Sequence, residues 1–274
     1  MKMKKISLIL AMTVLSAAAF AQTTEEEYAA RYLRQAGKVG EAGVGVETII
    51  DRWEEAFPES IDAKVARVNY YIAKSKTTTM AAKPGLQRYL GNKPLLTLKD
   101  SLGVDVNYFE EPVYNDEYFS QALTLIDECM AASPDEARYR FVKINALREY
   151  EKEDPTLAEA EMNKLIDARS SGLKFDGKPI PEDELVDIIQ EFCGSFYAIG
   201  SPAAYEAFLR LSQKMNKLYP KRTEFIDNIG SYYLVAAENP KKALSYYKKA
   251  LKLNPEDVVA IRNSKLATRK LQGK

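Results

Sequence analysis

The chain has 274 residues, with 39 Lys and Arg against 39 Asp and Glu, two cysteines and no histidine. Balanced charge gives no electrostatic footprint for nucleic acid or anionic lipid. Without histidine there is no Ser-His-Asp or Cys-His catalytic set and no Cys/His zinc cluster.

The first residues, MKMKKISLILAMTVLSAAAFAQ, place Lys2, Lys4 and Lys5 before an apolar run from Ile6 to Leu15. That run is too short for a mature transmembrane helix. Ala19-Phe20-Ala21 fits the small-x-small cleavage rule, so residues 1–21 are expected to be a signal peptide. No cysteine follows for lipid attachment, and a periplasmic or secreted location is expected. Cleavage removes three lysines and no acids, leaving 36 basic against 39 acidic residues. No second long apolar run follows, so the mature chain is expected to carry no transmembrane segment.

A period organises what remains. Val46-Ile50-Trp53-Pro58, Ala122-Ile126-Cys129-Pro134 and Ala243-Tyr247-Ala250-Pro255 share steps of four, three and five. Ala158-Met162-Leu165 and Ala207-Leu211-Lys214 keep the first two steps. Steps of four and three put side chains on one helix face. A proline beyond them stops the helix, because it lacks an N–H and clashes with the preceding turn. Ala122 and Ala158 stand 36 residues apart, as do Ala207 and Ala243. The spacing predicts helix pairs at about 24–37 with 44–57, 60–76 with 115–131, 135–151 with 155–170, 182–199 with 202–218 and 223–237 with 240–253. A polar last helix is expected at about 256–271, capped by Asn254. Gly194 and Gly230 occupy equivalent places inside first helices, where glycine costs about 1 kcal/mol, and they predict close helix contact.

The stretch Phe225 to Pro255 resembles the tetratricopeptide repeat family. It carries Gly230 and Tyr233 on the first helix, and Ala243, Tyr247, Ala250 and Pro255 on the second. The resemblance implies an all-α fold: antiparallel helix pairs stacked into a superhelical solenoid, usually a scaffold for protein or peptide contact. In it Asn145 stands where a small residue is expected, and Trp53 where alanine is expected.

The insertion at about 77–115 breaks the pattern. Leu96–Lys99 and Val104–Tyr108 alternate with period two around Asp100-Ser101-Leu102-Gly103, which predicts a β-hairpin docked on the helices. Leu96, Leu98, Val104, Val106 and Tyr108 form the expected apolar face. The hairpin is read either as a ligand-contacting lid, with Tyr89, Tyr108 and Phe109 as contacts, or as packing. The shorter irregular piece at 170–183 is either a flank of the same surface or a loose connector.

Asn69 and Asn145 each lie eleven residues after a stop proline, on first helices. Paired amides suit a peptide backbone. Lys143, Lys64, Arg67 and Arg138 could hold a carboxylate, and helix–helix hydrogen bonds explain the asparagines equally. Cys129 and Cys193 are expected to be free and buried, a disulfide being the alternative. No phosphate loop, nucleophile elbow or calcium loop is present, and no cofactor or metal is implied. The expected function is a non-enzymatic exported scaffold holding a protein or peptide partner. The alternative is a structural part of an envelope assembly that acts through outer helix faces.

Overall fold

A computed structural model describes residues 23–273. The expected leader at 1–21 lies outside the described residues. Eleven α-helices and five strands follow one another among the described residues, divided into two compact units. The first unit runs to Tyr70 and the second starts at Tyr71, so the division falls inside the third helix.

The first unit holds α1 (Glu25–Val39), α2 (Val46–Ala56) and the start of α3 (Ile61–Ser75). Thr24 caps α1, its Oγ1 accepting from Glu27 N at 3.3 Å, and three glutamates fill the first turn. Val46, Ile50 and Trp53 recur at steps of four and three and are all buried. Tyr32 of α1 meets Trp53 with ring centroids 6.3 Å apart.

The second unit opens with the insertion, which is a three-stranded antiparallel sheet. Its strands are β1 (Lys76–Pro84), β2 (Leu96–Lys99) and β3 (Asp105–Tyr114), in the order β1-β3-β2. The β2–β3 hairpin stands where the sequence put it, with Leu98 opposite Val106. Asp100 closes its turn by accepting from Leu102 N and Val104 N, both at 2.9 Å, and Gly103 takes φ +79°. The unexpected element is β1, which pairs with β3 from Val106 to Tyr114, Ala81 standing opposite Phe109.

The buried face of the sheet also corrects the sequence reading. Leu96, Leu98 and Val104 are about half exposed, whereas Asn107 and Phe109 are buried. The cause is the loop between β1 and β2. Tyr89 from this loop packs edge-on against Phe109, and Asn107 Nδ2 donates to Leu86 O at 2.8 Å. An aromatic group of Tyr114, Phe119 and Tyr150 ties the end of β3 to the next two helices, Phe119 and Tyr150 stacking at 4.2 Å.

Helix hairpins then follow. They are α4 (Asp116–Ala132), α5 (Ala137–Glu151), α6 (Thr156–Asp167), α7 (Glu182–Ile199), α8 (Pro202–Leu218), α9 (Thr223–Val235), α10 (Pro240–Leu253) and α11 (Val258–Leu271). Ala122, Ala158, Ala207 and Ala243 hold corresponding buried places on α4, α6, α8 and α10. Lys214 is the exception in its series; Met215, fully buried, takes the core position beside it. Pro58, Pro134, Pro220 and Pro255 each follow a helix end by two residues. α6 has no such proline and tightens into a 3-10 turn at Ala168–Ser170.

Asn254 closes α10 rather than opening α11. Asp257 is the cap of α11, its Oδ1 accepting from Val259 N and Ala260 N. Gly230 meets the expectation of close contact, because a Cβ there would lie 2.6 Å from Tyr247 Cε1. Gly194 does not: nothing lies within 4 Å of its virtual Cβ. Both cysteines are free and buried. No helix among the described residues is long and apolar enough to cross a membrane.

Candidate functional site

The piece at 170–183 is an ordered two-stranded ribbon, β4 (Lys174–Phe175) and β5 (Lys178–Pro179). Its Asp-Gly turn is held by Glu136, whose carboxylate accepts from Asp176 N at 3.1 Å and Gly177 N at 3.0 Å. Lys174 N donates to Asp135 O at 2.7 Å, and the Arg138 guanidinium reaches Asp176 at 3.0 Å. The ribbon is thereby fixed to the start of α5, and Phe175 is set against that helix.

Phe141 and Asn145 lie one turn apart on α5, and Glu184, Ile188, Glu191 and Ser195 follow one another on α7 at steps of four, three and four. These two stripes, with Phe192, Phe175 and Ile180, enclose a cavity of about 480 Å³. Phe141 stacks on Phe175 at 6.1 Å and leans on Phe192 at 5.8 Å. Phe175 keeps 45% of its surface exposed. An apolar floor with a few polar groups at its edge is the usual form of a binding pocket. Among the described residues, Asn145, Glu184 and Glu191 have no hydrogen-bond or ion-pair partner, and no cation lines the cavity. The site can therefore take an apolar group with a backbone amide or a positive charge beside it. It contains no nucleophile–base pair. Among the described residues no group of three His, Cys, Asp or Glu is placed to hold a metal ion.

Of the residues expected at a site, Asn145 lines this cavity. Asn69 lies in the first unit, where its Nδ2 is 3.4 Å from Tyr32 Oη, the helix–helix contact the sequence also allowed. Lys143 must be corrected. Its Nζ is 2.6 Å from Asp127 and 3.4 Å from Glu161, and the side chain is 11% exposed. Arg67 is likewise occupied, by Asp51 at 2.5 Å and Glu54 at 2.6 Å. Tyr89 and Phe109 are corrected too: both are buried against each other, and Tyr89 Oη donates to Glu111 at 2.7 Å. Neither ring offers a surface to a partner. Tyr108 is half-buried within β3, opposite Ala82 and Leu96.

The sequence reading missed Phe141, Phe175, Glu184, Ile188 and Glu191. The four-three-four stripe on α7 was available as a signal. So was the Phe175-Asp176-Gly177-Lys178 hairpin pattern, since Asp-Gly favours a two-residue turn.

No family model matches the chain, and no curated protein matches it. Among solved structures it is similar to YrrB, described as "a TPR protein with an unusual peptide-binding site", at 14% identity and a TM-score of 0.40. The likeness covers 89% of this chain and 94% of that one.

Proposed function

We propose that the chain is a non-enzymatic scaffold of the cell envelope, exported by its N-terminal leader, that holds a protein or peptide segment between α5 and α7. The observation that carries this reading is the phenylalanine-floored cavity with the unpaired Asn145 amide at its edge. An extended segment would seat an apolar side chain on Phe141, Phe175 and Phe192 and hydrogen-bond its backbone to Asn145. Repeated helix hairpins stacked as in tetratricopeptide repeats would present such first-helix surfaces along one side.

Affinity capture from envelope extracts, comparing wild type with Phe175→Ala and Asn145→Ala, tests the reading. Both side chains are exposed, so both variants should keep the wild-type melting temperature while losing at least about tenfold in partner recovery. Undiminished capture by both would defeat it.

A second reading, an envelope-assembly component acting through outer helix faces, is favoured by Val258, Val259 and Leu266 on α11. These are exposed by 75%, 48% and 45%. Crosslinks concentrated on α11 rather than on α5 and α7 would establish it.

A further inference from the structure

A second cavity, of about 360 Å³, lies where the sheet meets the end of α5. β1 contributes Lys76 and Thr78, the β1–β2 loop contributes Asn92, and the last turn of α5 contributes Arg148 with Lys152 just beyond it. The cations there are not equivalent. Lys76 is neutralised by Glu149 at 2.5 Å, and Lys152 by Glu111 at 3.0 Å. Arg148 has no ion pair or hydrogen bond among the described residues, and its Nε is buried without a partner. A guanidinium cannot escape this by losing its proton. A buried donor left unpaired is costly, and the guanidinium that carries it belongs to a residue lining the cavity.

We propose that this cavity binds the phosphate group of a small ligand, with Arg148 as the principal anchor. The Arg148 guanidinium, on the cavity wall, supplies charged N–H donors suited to an oxyanion. Thr78 and Asn92 add a hydroxyl and an amide from two other walls. Donors converging from three directions fit a tetrahedral anion better than a planar carboxylate. Lys76 and Lys152 flank the site with their own charges already balanced. Glu110, exposed and unpartnered at the same cavity, opposes the anion and limits its affinity.

Isothermal titration calorimetry at pH 7.5 and fixed ionic strength tests this, using inorganic phosphate, glycerol phosphate and acetate in turn. Wild type should bind one phosphate saturably. Arg148→Gln should bind at least about tenfold more weakly, and Glu110→Gln more tightly. Thr78→Val, an exposed change that removes only a hydroxyl, should also weaken binding. The unliganded Arg148→Gln protein should melt close to wild type, because Arg148 makes no ion pair or hydrogen bond among the described residues and only its through-space attraction to Glu149 is lost. Tighter binding of glycerol phosphate identifies a phosphomonoester as the ligand, and tighter binding of inorganic phosphate identifies the free ion. The proposal is overturned if neither phosphate binds saturably, if Arg148→Gln binds as well as wild type, or if that variant melts well below wild type. Acetate binding as tight as phosphate overturns it equally.

Discussion

Gly230 and Gly194 occupy equivalent positions in their repeats yet do different work. At Gly230 the Tyr247 ring, fully buried, fills the space where a Cβ would stand. Gly230→Ala should cost about 1–3 kcal/mol by forcing that ring aside. Gly194 is exposed inside α7 with open space at its Cβ position, so Gly194→Ala should gain about 1 kcal/mol from helix propensity. Urea denaturation of the two variants checks both signs. Asp227 is a third residue whose role appears only in three dimensions. Burial, and then the negative charge of Asp257, push its carboxyl up to about 8. Asp227 therefore keeps its proton and donates a hydrogen bond to the Asp257 carboxylate, which also accepts from Thr223 Oγ1 at 2.6 Å. In the unfolded chain the same carboxyl loses its proton near pH ~4. Between about pH 4 and 8 the native state thus binds one proton more than the unfolded state, and this group's contribution falls as pH rises, by about 1.4 kcal/mol per unit. Asp227→Asn keeps a donor to Asp257 without the titration. Its melting temperature relative to wild type should climb from pH 5 to pH 8.

At the level of elements, helices were legible and the sheet only in part. Helix ends carry their own signals: a cap at Thr24, prolines two residues past four of the helices, and a buried face recurring at four and three. The strand β1 was hidden. Its Thr77-Thr78-Thr79 run favours a strand, but Met80-Ala81-Ala82 favours a helix, and its partner lies far along the chain in β3. Which face of the hairpin is buried could not be read from alternation, because the decision belongs to the loop carrying Tyr89. Phe109 shows the consequence. It sits fully buried under Tyr89 and opposite Ala81, so Phe109→Ala should destabilise the protein by about 3–5 kcal/mol. Thermal unfolding followed by circular dichroism measures that loss.

Across the whole chain, one 36-residue unit was enough to find the helices, because each hairpin buries its apolar face on neighbours and so repeats its requirements. Deviations from the unit were where prediction thinned. Asn145 was found at the candidate site because it repeats the place of Asn69. Phe175 was not, because it belongs to a short ribbon between α6 and α7 that is not part of the repeating unit. Lys143 was misjudged because its partners, Asp127 and Glu161, come from the helices on either side of its own. Charge count alone cannot distinguish a lysine that is spent from one that is available.

The two sulfur atoms give this architecture a built-in gauge of its own cohesion. Cys193 is fully covered and its thiol is pushed up to about 12 by that burial, so it is inert toward alkylating reagents while α7 and α8 stay packed. Cys129 is equally covered within α4. Any reaction at either atom reports a moment when the helices have parted, and the rate of that chemistry counts how often the second unit opens.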